Sequence, residues 1–416
     1  MIKKIIISAC LLLSLMSFSQ EGTSSPYSFY GVGEVRFKGT LENRSMAGVS
    51  VAPDTIHINL QNPASYANLK LTTFTMGGSR TNTKLKTDSQ TAKTQRATLD
   101  YIAVGLPLGK FGAGFGLIPY TSVGYKIQSL SEDASQNSKR FNGNGGLNKV
   151  FLGLGYKIAP NLSVGADVHY NFGKIETNNL EFIPFVPIGS RELNTADLSG
   201  VNFNFGVMYQ YKINKKVDFF SSINFTPQSN LTSNNTRSIA TVSYNSNFDL
   251  LVVDEYPNQT TTTNLKLPNK ISFGAGIGDT KKWLIGVDVT LQNAGNLANS
   301  YNTIDNVTYK SYSKFSVGGF YVPNYKSFTS YAKRITYRYG FKYEKTGLVI
   351  NSVPINDVGL TLGLGLPIIG SFSNVNFGFE LGKKGTTTAG LIQENYTNFS
   401  VSFSLNDRWF VKTKFN

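Results

Sequence analysis

Cysteine is almost absent from this sequence: among 416 residues there is one, Cys10, and there are only two histidines. Cys10 falls in the apolar run 5–15, which follows two lysines and precedes small residues before Gln20. This pattern predicts a signal peptide at residues 1–19. The run is too short for a spanning helix, which takes about 20 residues. The mature chain is therefore predicted to begin near Gln20 without cysteine, which excludes disulfides, thiol catalysis and metal ligation by cysteine.

Charged residues are also scarce, at 16%, against about 25% in soluble domains. After the signal peptide no stretch reaches 18 apolar residues, so no spanning helix is expected. The 40 Lys and Arg outnumber the 25 Asp and Glu, but no run of about five basic residues occurs, and a nucleic-acid partner is not indicated. Glycine (40 residues) and aromatics (13%) are abundant. With low charge, they are typical of an outer-membrane β-barrel in contact with lipid.

From residue 71 onward the sequence alternates between apolar residues and small or polar ones. In residues 201–211, VNFNFGVMYQY, the odd positions are all Val, Phe or Tyr, while the even ones are mostly Asn, Gly or Gln. The pattern recurs at residues 162–172, 283–291, 358–366 and 375–382. It predicts strands with one apolar face, which would point to lipid in a barrel or to the core in a soluble sandwich.

The connections between strands favour the barrel. Six short links alternate with seven long polar segments, which are expected to be outer loops: residues 81–95, 128–145, 175–196, 226–263, 292–312, 344–356 and 383–393. Short periplasmic turns and long outer loops are typical of outer-membrane barrels. We therefore predict an all-β fold, a transmembrane antiparallel β-barrel of about 14 strands over residues 71–405. Residues 406–416 form a periplasmic tail or the end of the last strand.

Residues 20–70 lack a strand or helix period, and we predict that they form an N-terminal plug inside the barrel. The inward face carries many glycines, which in a strand often mark the close approach of another backbone. The alternative is that they only allow the strands to curve. The glycines are Gly153, Gly155, Gly165, Gly206, Gly274, Gly276, Gly286, Gly363, Gly365 and Gly378.

Just before the first strand, the plug contains the triplet Asn62, Pro63 and Ala64. A signal peptide, a hatch with an Asn-Pro-Ala triplet and a barrel of about 14 strands resemble the FadL-type outer-membrane channels. The resemblance implies passage of long-chain fatty acids or aromatic hydrocarbons, and release through a sideways opening beside a kinked third strand.

The third strand of this chain is predicted at residues 111–128. Its Pro119 cannot donate to the ladder and should locally break pairing. The alternative is a harmless proline at an edge or bulge. By analogy with the FadL-type proteins, the residues predicted to form the kink and lateral gate are Gly112, Gly114, Gly116 and Pro119.

In contrast to the apolar pocket that the resemblance implies, the predicted inward face is largely polar. Asp167 and His169 share this face, and without a partner serine we interpret them as a structural pair. We find no catalytic set, metal cluster or cofactor motif, so the chain is predicted to be neither an enzyme nor cofactor-dependent. The residues predicted to line the lumen are Phe151, Asp167, His169, Asn202, Asn204, Met208, Asp288 and Glu380.

Two functions remain open from the sequence. The leading one is a channel for passive, plug-gated uptake of small hydrophobic or amphipathic compounds such as long-chain fatty acids. The alternative is a plugged barrel that transports nothing and acts as a scaffold or partner in a protein-export or cell-surface assembly. The expected partners are accordingly outer-membrane lipid, a small hydrophobic ligand and a partner protein. A continuous apolar cavity in the upper lumen favours transport, whereas a filled interior around Asn202, Asp288 and Glu380 favours the alternative.

Overall fold

The computed structural model of the protein describes residues 22–131, 136–247, 249–295 and 306–409. The predicted signal peptide and residues 410–416 lie outside this part. Of the described residues, no helix is both long and apolar enough to cross a membrane.

Almost all regular structure is β-strand, as the alternation predicts. The helical segments are short, three to six residues each: Pro26–Phe29, Leu41–Arg44, Pro63–Asn68, Ala332–Arg334 and Thr388–Gly390. The strands are β1 (Glu34–Val35), β2 (Thr72–Lys86), β3 (Thr91–Leu108), β4 (Phe111–Pro119), β5 (Thr121–Ser129), β6 (Ser138–Ala159), β7 (Leu162–Phe182), β8 (Ile188–Lys212), β9 (Asp218–Thr226), β10 (Ser229–Tyr244), β11 (Leu250–Glu255), β12 (Gln259–Leu267), β13 (Lys270–Asp279), β14 (Trp283–Gln292), β15 (Val307–Tyr309), β16 (Tyr312–Tyr321), β17 (Thr336–Ile350), β18 (Val353–Pro367), β19 (Asn374–Lys384) and β20 (Gln393–Asp407).

The strands form a closed antiparallel ring. Each wall strand pairs with the next along the chain, and β20 pairs back with β2 from Thr72↔Asp407 to Lys86↔Gln393. Four wall strands consist of two segments each: β4 with β5, β9 with β10, β12 with β13, and β15 with β16. Counted this way, the described residues form a 14-stranded barrel, which confirms the predicted fold class.

Three of the four interrupted wall strands break at a proline. Pro119 ends β4, Pro227 directly follows β9, and Pro268 directly follows β12. Proline has no backbone N–H for the ladder, so it is tolerated in a sheet where pairing is already interrupted. Only the first of these breaks was predicted.

The two faces of the wall follow the sequence alternation. In β8 the odd-numbered residues from Val201 to Tyr211 are exposed, while Asn202, Asn204 and Met208 are buried. Because the exposed face is the apolar one, it must lie against lipid. The apolar band and the closed ring are the architecture of an outer-membrane protein.

Several segments expected to be outer loops are strands instead. Residues 175–196 continue β7 and begin β8, and most of residues 226–263 forms β10, β11 and part of β12. The prediction was wrong because strands beyond the membrane need no apolar face, and the alternation fades there. We call the outer parts of β7, β8 and β10, together with β11, the projecting sheet (residues 175–182, 188–197, 233–244 and 250–255).

The N-terminal segment lies inside the ring and touches it on all sides. Residues 22–35 continue toward the outer end, where Tyr27 lies against Gly385 and Ile392. The last strand runs to Asp407, two residues beyond the predicted barrel limit. The plug residues nearest to wall glycines are, around the ring, Leu41 (β19), Ser45 (β18), Met46 (β16 and β17), Val49 (β14), Val51 (β13), Asn62 (β8), Pro63 (β6 and β7) and Tyr66 (β4).

Candidate functional site: the plug and the interrupted wall

The Asn-Pro-Ala triplet starts a short helical turn that fixes the plug to the wall. The Asn62 side-chain oxygen accepts a hydrogen bond from the Ala64 amide at 3.0 Å, which caps the turn Pro63–Asn68. Pro63 occupies the first position of the turn, where its missing N–H costs nothing. The Asn62 amide nitrogen donates to the carbonyl oxygens of Val207 and Ile223, both at 3.2 Å. One side chain thus organises the turn and attaches it to β8 and β9.

The inward glycines lie where the plug approaches the wall. A Cβ at Gly165 would stand 2.5 Å from the Pro63 carbonyl carbon, and one at Gly206 would stand 2.0 Å from the Asn62 side-chain oxygen. Contacts below 3.0 Å essentially do not occur between real atoms of this kind, so a larger residue would displace the turn. Of the ten predicted glycines, Gly365 differs, because it faces the side chains of Arg338 and Asn376 on the wall.

The four residues predicted at the kink do not act together. A Cβ at Gly112 or Gly114 would meet Tyr66 of the plug, whereas one at Gly116 would meet the backbone of β3. Pro119 alone sits at the break between β4 and β5. The glycines therefore accommodate neighbours, and the interruption of the strand is at the proline.

Pairing at this break is lost on one side only. Toward β6 it continues, since the Tyr120 amide donates to the Leu147 carbonyl at 2.7 Å. Toward β3 it ends at Ile102↔Leu117. Above that point β5 pairs instead with β1 of the plug, through Glu34↔Ser122 and Val35↔Thr121. A plug strand thus takes the place that β3 would hold beside β5.

A cavity of about 770 Å³ lies beside this interruption. Its lining includes the exposed Leu99, Asn144 and Lys174 and the buried Ser122, together with Arg36 of the plug. The cavity therefore reaches from the outer surface of the wall to the plug. Its lining is mostly polar or glycine, unlike the apolar pocket that the FadL-type resemblance implies.

The predicted lumen-lining residues all face inward, and all are buried. Polar neighbours surround several of them: Asn202 accepts a hydrogen bond from Asn171 at 2.7 Å, Asn204 donates to Asp167 at 3.1 Å, and Glu380 pairs with Lys342 at 2.8 Å. His169 lies 3.5 Å from Asp167. These side chains fill the interior and form no set arranged for catalysis.

Sequence reasoning missed an apolar cluster in the upper lumen. Its wall members include Leu147, Ile175 and Leu198, and plug residues Phe29 and Val32 pack against them. Ile175 and Leu198 continue the inward phase of Asp167 in β7 and Asn202 in β8, so extending the alternation past the assumed loop boundary would have found them. Because the plug covers the cluster, this apolar surface is occupied by the chain itself.

Charged residues connect the plug to the wall at several heights. Arg44 Nη1 lies 2.9 Å from Asp100 Oδ2, and Arg36 lies 3.6 Å from the other oxygen of Asp100. Glu34 pairs with Lys384 at 2.7 Å. In addition, Glu42 accepts a hydrogen bond from Asn376 at 2.9 Å. The sequence could not indicate these pairs, because their members are far apart along the chain.

His57 and Asp54 form an ion pair within the plug, with Nδ1 and Oδ2 2.8 Å apart. Partial burial raises the pKa of Asp54, but the charge and hydrogen bonds of His57 outweigh it and lower that pKa to about 2. Burial lowers the pKa of His57, but Asp54 and then Glu42 outweigh it, so the His57 pKa lies above its ordinary value of 6.5. The stability from Asp54 is thus present above its ordinary pKa of 3.8 and lost on acidification. That from His57 is present below 6.5 and lost as pH rises through its raised pKa.

We expect His57→Asn to lower barrel stability most between about pH 4 and 6.5, where both partners are charged. The loss should be modest, on the order of 0.5–1 kcal/mol, because Asp54 is partly exposed and solvent screens the pair. Thermal unfolding of both proteins in detergent from pH 5 to 9 measures the difference, which should shrink toward alkaline pH. Asp54→Asn is the matched variant and should abolish the same pH dependence. A difference that stays constant across this range would contradict the assignment.

Comparison with known proteins agrees with this geometry. The BamG family model matches residues 1–416 of the sequence. The chain belongs to the BamG family. No curated protein matches its sequence significantly.

Several solved structures share the fold of this BamG-family chain. The toluene transporter TodX of Pseudomonas putida matches with a TM-score of 0.58 and 15% identity, covering 89% of this chain and 98% of TodX. The toluene transporter TbuX of Ralstonia pickettii gives 0.56 and 14%, with 89% and 98% covered. A FadL homologue of Pseudomonas aeruginosa gives 0.57 and 12%, with 90% and 99% covered. The BamG-family chain is therefore similar to FadL-type hydrocarbon channels in its barrel fold.

Proposed function

We propose that this BamG-family protein is a plugged outer-membrane barrel that acts as a scaffold or partner in a protein-export or cell-surface assembly. The observation that carries the proposal is the attachment of the plug to the wall around the whole ring. Leu41 lies against β19, Val51 against β13 and β14, and Tyr66 against β4. Near the outer end, Phe29 and Val32 cover the apolar cluster.

The energies support a plug that stays in place. Displacing the plug would separate the contacts that it makes through Arg44, Glu34 and Glu42 and would uncover the apolar cluster under Phe29 and Val32. A hydrophobic compound gains only about 25 cal/mol per Å² of apolar surface buried. The polar groups around Asn202, Asp288 and Glu380 offer little such surface. A compound in this interior would therefore offset little of the cost of displacing the plug.

The cavity beside Pro119 favours a second candidate: passive uptake of small hydrophobic or amphipathic compounds such as long-chain fatty acids. Its volume of about 770 Å³ lies within the range of small-molecule sites, about 300–1,000 Å³. In this function a compound would enter from the outer side, movement of the plug would admit it to the cavity, and it would leave toward the membrane beside β5. The toluene transporters with the same fold are consistent with this candidate.

A disulfide between plug and wall separates the two functions. A Cβ at Gly378 would stand 3.5 Å from Leu41 Cγ. Because a cysteine at position 41 would place its sulfur near that Cγ, two cysteines at these positions would be close to disulfide geometry. On native gels of solubilised outer membranes, we expect the wild-type protein to migrate in a complex with its partner. The oxidised double variant Leu41→Cys/Gly378→Cys should migrate in the same complex. We also expect vesicles containing wild-type protein to take up labelled fatty acid no faster than protein-free vesicles.

The reduced double variant and the two single variants are the controls for any packing change at Leu41 or Gly378. If the wild type accelerates uptake, and oxidation of the double variant abolishes this while reduction restores it, plug-gated transport replaces the scaffold proposal. If the chain migrates alone and accelerates nothing, both proposals fail.

A further inference from the structure

β11 is the edge strand of the projecting sheet in the described part of the chain. On one side it pairs with β10, from Ala240↔Glu255 to Tyr244↔Leu250. On its other side none of the described residues pairs with it, whereas the wall strands have neighbours on both sides. A strand edge without a partner presents a row of N–H and C=O groups that can pair with another strand.

The side chains of β11 are exposed and mainly apolar. Leu251, Val252 and Val253 are 50%, 45% and 59% exposed, and the following Tyr256 is 56% exposed. Alternate residues of a strand point to opposite faces, so both faces of this edge are apolar and uncovered. Such a segment is a site for association with another chain.

Membrane lipid cannot cover this edge because of its height. Leu251 pairs with Ser243, and Ser243 pairs with Ile188 at the start of β8. The apolar outward band of β8 begins 13 residues later, at Val201. At about 3.3 Å per residue this is about 40 Å along the strand, or about 30 Å after allowing for strand tilt. β11 therefore lies in the aqueous space outside the membrane.

The chain segment that contains β11 carries charge opposite to that of the whole chain. Between Arg237 and Lys266 there is no basic residue, while Asp249, Asp254 and Glu255 are acidic. The chain as a whole carries a formal charge of +15. This local charge favours a basic segment and disfavours a second copy, which would bring the same acidic residues and a further +15.

We propose that β11 is a docking edge for an extended, basic segment of a partner protein, which adds to the projecting sheet as its next strand. The proposal rests on the proposed scaffold function, and it names the surface and the kind of partner. Backbone hydrogen bonds would supply affinity in this mode, and the alternating side chains and the acidic residues would supply specificity.

The test uses the full-length protein in detergent and two ten-residue peptides, one alternating valine with lysine and the other valine with glutamate. We expect the lysine peptide to bind at least tenfold more tightly by fluorescence anisotropy. It should also slow amide hydrogen exchange in residues 250–256 at least tenfold.

Two variants separate the edge from its charge. Val253→Pro removes one N–H at the register shift between β10 and β11, where Val253 has no partner, and should weaken binding at least tenfold; Val253→Thr is its matched control. Asp254→Asn with Glu255→Gln leaves the backbone intact and should abolish the preference for lysine. Asp88→Asn, in the exposed β2–β3 turn, is the control for loss of an acid elsewhere.

Equal binding of both peptides, or exchange that slows only outside residues 250–256, would overturn the proposal. Sedimentation of the wild type as a dimer that Val253→Pro dissociates would assign the edge to a second copy and also overturn it. These results do not depend on the plug-locking experiment. Redox-dependent uptake there would refute the scaffold function without changing the exchange result, and failure of the peptides would leave the plug result intact.

Discussion

Replacing Gly165 by valine is expected to detach the Asn62–Ala64 turn from the wall and to destabilise the barrel by about 3 kcal/mol. A Cβ at this position would stand 2.5 Å from the Pro63 carbonyl carbon and 2.6 Å from the Ala64 amide nitrogen. Overpacking typically costs about 1–3 kcal/mol. The upper end applies here because backbone atoms of a capped turn cannot rotate away as a flexible side chain can.

The matched control is Ala166→Val, one residue along β7, which adds two methyl groups on the exposed face. Thermal unfolding in detergent and protease cleavage of the plug measure both variants, and only Gly165→Val should lower the midpoint and expose residues 60–67. Wild-type stability and protection in Gly165→Val would mean that the plug is held elsewhere, and the glycine argument would fail.

The sequence predicted the wall well because the strand period is local. The outward face is identified locally by residues such as Val201, Phe203 and Phe205, and the short turns indicate how many strands the chain contains. The inward glycines gave non-local information for a different reason. The absence of a side chain at Gly165 or Gly206 indicates that another part of the chain comes close, although it does not identify that part.

The sequence could not predict the contacts between residues that are far apart along the chain. Nothing near Asp100 indicates that its partner is Arg44, 56 residues earlier, and nothing near Glu34 indicates Lys384. The projecting sheet was missed because residues in water need no apolar face to pair. The breaks at Pro227 and Pro268 could have been predicted from the sequence, because a proline in a wall strand interrupts pairing there as it does at Pro119.

The filled interior and the projecting sheet of the barrel both favour the scaffold proposal. A transport pore needs an open path, whereas here ion pairs and glycine contacts hold a plug along the lumen. An assembly partner needs surface outside the membrane, and the projecting sheet provides it on one side of the ring. The side cavity at Pro119 is the feature that fits transport better. The oxidised Leu41–Gly378 variant tests it because it locks the plug and leaves that cavity unchanged.

Asp100→Asn is expected to loosen the plug and to lower the free energy of unfolding by about 3 kcal/mol. A bulge at Gly77 and Gly78 leaves Asp100 without a register partner in β2, and bulges re-aim side chains in this way. Its carboxylate lies 2.9 Å from Arg44 and 3.6 Å from Arg36, and it accepts hydrogen bonds from Ser79 and Thr98. Without it both arginines stay largely buried and lose this ion-pair partner, and breaking a buried pair in this way costs about 3–5 kcal/mol.

A double-mutant cycle identifies the cause of this loss. Arg44→Met in the Asp100→Asn background removes one uncompensated charge and should recover part of the stability, whereas Arg44→Met alone should be destabilising. Asp88→Asn controls for loss of an exposed acid in the same hairpin. Unfolding in detergent and protease cleavage of residues 22–70 give the readout. Strict additivity of the two substitutions would show that Arg44 and Asp100 do not stabilise each other, and the plug would then be held by its other contacts with the wall.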